Sequence, residues 1–499
     1  MKYVIGIDLG TSAVKIMLVN QLGEVIEEVS KPYPLIQEKA GYSEQNPDDW
    51  VEQTIEGLSE LIKKFKGNPE AIEGLSFSGQ MHGLILMDEN NNVLRNAILW
   101  NDTRTSEECA EIHEKVGKER LVEITKNLAL EGFTLPKLLW VKNHEQNVIE
   151  KAKVFLLPKD YVRYRLTGQL HMEYSDAAGT LLLNVSEKAW SIEICDKLGI
   201  NPTICPPLVE SHEYVGNITE EVANATGLST TVKVFAGGAD NACGAIGAGI
   251  LEDGKTLASI GTSGVVLSYE TTDSKEFGGK VHYFNHAAKD VFYTMGVTLA
   301  AGYSLSWFKD TFAKDISFEG LLADIDTVPI GSEGLIFTPY IVGERTPHVD
   351  AAIRGSFIGM DASHERKHFT RAVLEGITLS LNESVEIFRQ NGKKIDTVIS
   401  IGGGAKNESW LQMQADIFNA NIVKLRSEQG PGMGAAMLAA YGCSWFQSLS
   451  ECADEFLITE KTYKPIPKHV QRYKELFKIY KEVYMQTNGL NAELMQFRS

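Results

Sequence analysis

Apolar residues fall in short runs punctuated by turn signals, with longer stretches at helical spacing between them. Tyr3–Leu9 and Ala13–Val19 are two such runs joined at Gly10-Thr11-Ser12, which predicts strand, tight turn, strand. After Gln21-Leu22-Gly23, a third strand is expected at Glu24–Val29. From Pro47 to about Phe65 the period lengthens. Trp50, Ile55, Leu58, Leu61 and Ile62 make one stripe, and Asn46 stands where an N-cap belongs. Strands are expected again at Ile72–Phe77, Leu84–Met87 and Val154–Leu157, with an apolar run at Ala97–Trp100 and a helix around Tyr161–Leu166. Strands alternating with helices define an α/β protein.

The second half opens as the first does. Lys255–Ile260, Gly261-Thr262-Ser263 and Gly264–Ser268 again predict strand, turn, strand. Superimposing the two Gly-Thr-Ser turns sets Asp8 opposite Ser259, so a duplicated unit is expected in which only the first copy carries the acid. Further on, a helix is expected near His368–Ile387, a strand at Thr397–Ile401, then Gly402-Gly403-Gly404-Ala405 and a helix from about Glu408. Val470, Tyr473, Phe477, Tyr480 and Tyr484 form a helical stripe that should dock on the body. At 499 residues the chain is too long for one core, and two domains are expected, residues 1–247 and 248–499, joined around 245–255 without a flexible tether.

Between the halves lies Gly237–Gly249. The short buried strand expected at Val232–Ala236 leads into it, and one carboxylate, Asp240, opens a helix of almost nothing but small residues. Gly244, Gly247 and Ala248 at helical spacing would let that helix approach backbone or ligand closely. Helix N-termini favour negative charge, so Asp240 is expected to cap the helix and to be ionised at neutral pH without a strongly raised pKa.

Composition narrows the partners. The balance of 48 basic against 66 acidic residues, net −18, argues against nucleic acid or an anionic membrane as the main partner. It leaves room for a nucleotide held by backbone dipoles and a metal. No apolar run is long enough to span a bilayer. Six cysteines without a C-x-x-C pair are expected to be free thiols, and with no leader in view a cytoplasmic protein is expected.

Gly249-Ile-Leu-Glu-Asp-Gly254-Lys255-Thr256 matches the P-loop pattern letter for letter, yet it follows a helix and opens a strand, the reverse of what a P-loop needs. It would also set Glu252 and Asp253 against the phosphates. A connecting turn is the better reading. The Gly-Thr-Ser turns are better phosphate candidates, because small residues in a tight turn let successive N–H groups and hydroxyls face an anion. Asp8 beside the first turn suits Mg²⁺, which takes few carboxylates, several waters and the phosphates themselves. Gly402–Gly404 suits close approach by a nucleoside.

Nine blocks in order resemble the FGGY family of carbohydrate kinases. They include Ile5–Ser12, Ser78-Gly-Gln-Met-His-Gly83, Ile98–Arg104, Leu157–Tyr161, Ser175–Thr180, Gly237–Gly249, Gly343–His348 and Gly402–Ala405. The resemblance implies two actin-like (ribonuclease H-like) α/β domains with the active site in the cleft between them. It implies ATP as co-substrate, Mg²⁺ as cofactor and, through Gln80-Met81-His82-Gly83, D-xylulose or a related ketose as acceptor. Gluconate, a polyol, or an actin-like ATPase cycle without a small acceptor are the alternatives. By the same resemblance Asp240 is the general base, Asp8 supports the metal together with Asp240, and Met81, His82 and Asn241 contact the sugar. The phosphates fall to Thr11, Ser12, Lys15, Gly261 and Thr262, and the nucleoside to Gly404, Ala405 and Asn407. A homodimer is compatible with this reading.

Overall fold

The computed structural model describes residues 1–273 and 277–498. Its framework is two seven-stranded sheets. In the first, β1 (Tyr3–Leu9), β2 (Ala13–Asn20) and β3 (Val25–Pro32) form an antiparallel meander. β4 (Ile72–Gly79) lies parallel to β1, followed outward by β6 (Lys233–Phe235) and β5 (Tyr214–Asn217). A short strand, β7 (Gly238–Ala239), extends the pairing along β4. In the second sheet β8 (Gly254–Ile260), β9 (Gly264–Glu270) and β11 (Phe292–Thr298) repeat the meander, with β10 (His282–Asn285) beyond β11. β12 (Ile395–Gly402) is parallel to β8, and β13 (Asn421–Leu425) and β14 (Thr459–Tyr463) complete the sheet. The order β3–β2–β1–β4 of the first sheet thus has its counterpart in β11–β9–β8–β12 of the second, where β10 is an additional strand at the edge, as expected of a duplicated unit.

Helix α1 (Pro47–Lys64) begins at Asn46, whose side chain accepts the Asp48 N–H at 3.2 Å, and it buries Trp50, Leu58 and Leu61 against the first sheet. The last long helix, α10 (Pro467–Leu494), buries Val470, Tyr473, Phe477 and Tyr480, while Tyr484 stacks on His348 with ring centroids 3.6 Å apart. The helix expected near Tyr161–Leu166 runs longer, as α3 (Pro158–Thr167). All six cysteines are free, and no helix among the described residues is long and apolar enough to cross a membrane.

The small-residue helix is α5 (Asp240–Gly247), and what it approaches is backbone. Its partner is α9 (Gly430–Gly442), a helix from late in the chain that lies across β1 and β4 of the first sheet. A Cβ placed on Gly434 would fall 1.8 Å from the Cys243 carbonyl oxygen, and one on Gly247 would fall 2.4 Å from that of Gly430. Only glycine permits this spacing. Asp240 thus sits on a helix pressed from behind by a segment contributed by the second half.

Candidate active site

Two cavities border the second Gly-Thr-Ser turn. One, about 260 Å³, has Met81, His82, Trp100 and Phe133 on one side and Asp240 and Asn241 on another. Ser263, His282, Phe284 and Arg345 close it from the second half. The other, about 690 Å³, is bounded by Gly261, Thr262, Tyr303, Gly403, Lys406 and Asn407. Neighbouring residues of one turn, Thr262 and Ser263, face different cavities, so the second Gly-Thr-Ser turn borders both.

Asp240 comes from the turn after β7. The chain reaches it through Gly237 at φ 86°, where a Cβ would lie 2.4 Å from the Phe77 carbonyl oxygen. Asp240 is the first residue of α5 rather than its cap, which is Ala239. One carboxylate oxygen accepts the Asn241 backbone N–H at 2.7 Å and its side-chain amide at 3.0 Å. The expectation of an ordinary acidity is corrected here. Burial, reinforced by the negative charge of Asp8, raises the Asp240 pKa to about 7, and the two bonds from Asn241 only partly offset this. Desolvation outweighs the favourable end of a helix only eight residues long.

Asp8 stands at the end of β1, opposite Lys15 on β2 and Ser78 on β4. Burial raises its pKa as well, opposed by Ser78 and Lys15. Two desolvated carboxylates that repel each other suit a divalent cation, which would relieve both costs. Among the described residues no group of three or more His, Cys, Asp or Glu side chains surrounds one point.

Met81 and His82 sit on the loop after β4. His82 has φ 69°, an unusual conformation for a side chain of its size. Its carbonyl accepts the Thr134 hydroxyl and the Lys137 ammonium, each at 3.1 Å, and these bonds hold the turn. Lys137 is fully buried, which draws its pKa down to about 7. The His82 ring donates from Nδ1 to the Gly179 carbonyl at 2.6 Å, leaving Nε2 to accept from a ligand. Burial lowers the His82 pKa to about 3, so the ring is neutral. Met81 is buried, with its sulfur 3.6 Å from the Asn241 amide.

On the phosphate side, the Gly10–Ser12 and Gly261–Ser263 turns occupy matching places in the two sheets. The Thr11 hydroxyl accepts the Trp100 indole N–H at 2.9 Å, which ties the first turn to the smaller cavity. Ser12 is exposed beside it. Lys15 lines neither cavity; its ammonium lies 3.0 Å from Glu28 and 3.0 Å from Gln429. Gly404 and Ala405 are buried in a 3₁₀ turn behind the larger cavity and are not on its wall. Asn407 is on the wall, with its carbonyl committed to the Trp410 N–H as the N-cap of α8 (Glu408–Phe418). Lys255, of the discarded P-loop match, pairs with Glu252 at 2.9 Å and lines neither cavity.

Sequence reasoning missed Trp100, Phe133, His282 and Arg345. Trp100, Phe133 and Arg345 each lay inside a family-like block, Ile98–Arg104, Gly132–Lys137 and Gly343–His348, and Trp100 is also a large aromatic that remains 46% exposed. His282 is an isolated residue that tertiary structure brings to them. Their presence also means that the sugar-sized cavity is walled by both halves, whereas the sequence placed sugar contacts on the first half alone.

A duplicated α/β fold, with a carboxylate on the wall of a small cavity and a larger cavity bordering the same Gly-Thr-Ser turn, is the architecture of a two-domain phosphotransferase. The comparisons agree. Residues 3–247 match the N-terminal domain, and residues 256–443 the C-terminal domain, of the FGGY family of carbohydrate kinases. The chain belongs to that family. It is 64% identical over 498 residues, the full length of both chains, to a xylulose kinase of Bacillus subtilis (strain 168). The crystal structure of ligand-bound xylulose kinase from Lactobacillus acidophilus superimposes with a TM-score of 0.94 at 30% identity, covering 99% of this chain and all of that one. Gluconate kinase from Lactobacillus acidophilus gives 0.93 at 31% identity, with 99% of each chain covered.

Proposed function

We propose that this chain transfers the γ-phosphoryl group of ATP to the primary hydroxyl of D-xylulose, giving D-xylulose 5-phosphate and ADP. One observation carries the reading: Asp240, its pKa raised to about 7, stands on the wall of the sugar-sized cavity, and that wall includes Ser263, whose neighbour Thr262 borders the larger cavity. Full-length identity to a xylulose kinase supports the choice of sugar.

In this reading Asp240 orients the acceptor hydroxyl and takes its proton late in transfer. The transition state is loose, so alignment and charge neutralisation supply most of the catalysis. Met81, the neutral His82 and Asn241 position the sugar; Trp100 and Phe133 bound it. The turns at Thr11-Ser12 and Gly261-Thr262 face the phosphates, and Gly403 and Asn407 face the nucleoside, with Gly404 and Ala405 shaping the turn behind. Asp8, with Asp240, would hold Mg²⁺, which neutralises phosphate charge when bound. Lys15 acts through the electrostatics of Asp8 rather than by direct contact. We place the domain boundary at residues 247/248, after α5 and before β8, with α9 returning from the second half to brace the first.

A second reading, gluconate as acceptor, has one observation in its favour: the Arg345 guanidinium lines the sugar cavity and would pair with a carboxylate. A panel of pentuloses, hexuloses, gluconate and glycerol, read as acceptor-dependent ADP release, separates the two. Highest kcat/KM for D-xylulose is the expected result; preference for gluconate would overturn the choice of sugar.

A further inference from the structure

Behind Asp240, away from both cavities, lie five charged side chains with no solvent exposure: Lys159, Asp160, Arg163, Glu173 and Asp176. The Lys159 ammonium is 2.8 Å from Asp160, 3.2 Å from Glu173 and 2.8 Å from Asp176, and Arg163 is 2.9 Å from Asp160. Burying so many charges is expensive, and apolar residues of similar volume often stabilise a fold equally well. The outward bonds of the cluster suggest what it does.

Those bonds converge on residues 236–239, the segment that delivers Asp240. Arg163 donates to the Ala236 carbonyl at 2.6 Å. Gly237 donates to the Ser211 carbonyl at 2.9 Å, and the Ser211 hydroxyl donates to Glu173 at 2.9 Å. The Ser175 hydroxyl donates to Glu173 at 2.8 Å and accepts the Ala239 backbone N–H at 2.9 Å. Glu173 also caps the helix Tyr174–Ala178, accepting the N–H groups of Ser175 and Asp176. This short helix ends at Gly179, whose carbonyl holds the His82 ring. A Cβ on Gly179 would lie 2.8 Å from the Met81 methyl carbon and 3.0 Å from the His82 ring. One six-residue stretch therefore touches the residue before the proposed base at one end and the sugar-facing ring at the other.

We propose that Glu173 and Ser175 are positioning residues for phosphoryl transfer: they fix the Ala239 peptide and, through it, the direction in which Asp240 faces the acceptor hydroxyl. The proposal rests on the assignment of Asp240 as base. Charge on Glu173 strengthens its hydrogen bond from Ser175, and the buried lysine keeps Glu173 charged. Ser175 lines neither cavity, so its loss should affect turnover more than binding.

The test compares Ser175→Ala with Ser211→Ala. Both remove a hydroxyl that donates to Glu173, but only the first releases Ala239. With ATP and D-xylulose, Ser175→Ala should lower kcat by about tenfold or more, as expected for a misaligned base. KM for either substrate should stay within about twofold, and calorimetric titration with D-xylulose should still show one site per chain, which excludes a mere loss of folded protein. Ser211→Ala and Ser175→Thr, which restores the hydroxyl, should each lie within about threefold of the unmodified enzyme. Equal losses in both alanine variants, an unchanged Ser175→Ala kcat, or a Thr variant as slow as the Ala variant would overturn the proposal. If Ser175→Ala does not fold, Ser175→Cys, close in size but a poor acceptor, takes its place with the same expected loss. Should the unmodified enzyme prefer another acceptor of the panel, the choice of sugar falls, and the same comparison on that acceptor decides the positioning role.

Discussion

The contact between α5 and α9 makes a prediction that links packing to catalysis. Gly434→Ala adds one methyl carbon at a point 1.8 Å from the Cys243 carbonyl oxygen, a separation that non-bonded atoms do not reach. The helices must part by at least about 1 Å, because the methyl carbon is fixed to the backbone and the carbonyl is main chain, so neither has a rotamer to change. Overpacking of this kind costs about 3 kcal/mol, the upper end of the usual range. For domains of this size that lowers Tm by roughly 6–12 °C. Cys243 is one turn from Asp240, so the displacement reaches the proposed base, and a misplacement of about 1 Å costs on the order of a hundredfold in rate. Scanning calorimetry and steady-state kinetics measure both effects. Gly489→Ala is the control: it lies on an exposed part of α10, a Cβ there has no neighbour within 4 Å, and helix propensity predicts a stabilisation of up to about 1 kcal/mol. A Gly434→Ala protein with unchanged Tm and kcat would refute the argument that this contact sets the position of α5.

Other consequences follow from the electrostatics of the cleft. Asp240 acts as its carboxylate, and its raised pKa of about 7 means that kcat/KM falls as pH drops through neutrality. His82→Asn should leave that limb in place, because the neutral ring of His82 does not titrate between pH 5 and 8; disappearance of the limb would reassign it. His82→Ala should raise the KM for sugar, with a loss on the order of 1–3 kcal/mol in kcat/KM, while ATP affinity without sugar changes little. Fluorescence titration with nucleotide checks the second half of that statement. Lys255→Ala should be kinetically silent, whereas Asp8→Asn should severely reduce Mg²⁺-dependent turnover; the opposite pattern would move the phosphate site.

The duplicated framework was legible because its signals are local. Short apolar runs flanking Gly10-Thr11-Ser12 and Gly261-Thr262-Ser263 predict the hairpins, and the hairpins set both turns at the ends of their sheets. Asp240 was legible as a lone acid at a helix start. Its pKa was not, since the desolvation and the repulsion from Asp8 depend on a residue 232 positions away. The helix Gly430–Gly442 was overlooked for a different reason. Apolar on every face and rich in glycine, it shows no stripe, although an uncharged run of that length is itself a mark of a fully buried helix. Phe133 and Arg345 lay in family-like blocks without an assigned role, His282 has no local pattern at all, and only the meeting of the two halves makes the three neighbours. Lys159 and Ser175 lay inside family-like blocks and Glu173 two residues before one, but nothing in the sequence says that they face away from the ligand.

The central claim is phosphoryl transfer to D-xylulose with Asp240 as the base. Its most direct test is D-xylulose-dependent ADP release by the unmodified chain and by Asp240→Asn, with the product identified by phosphorus NMR and sugar binding measured by calorimetry. The unmodified chain should form D-xylulose 5-phosphate. The variant, equal in shape but without the charge, should lose at least about a hundredfold in kcat while binding D-xylulose with similar affinity. Near-normal turnover by Asp240→Asn would contradict the mechanism, and absence of xylulose-dependent turnover in the unmodified chain would contradict the function.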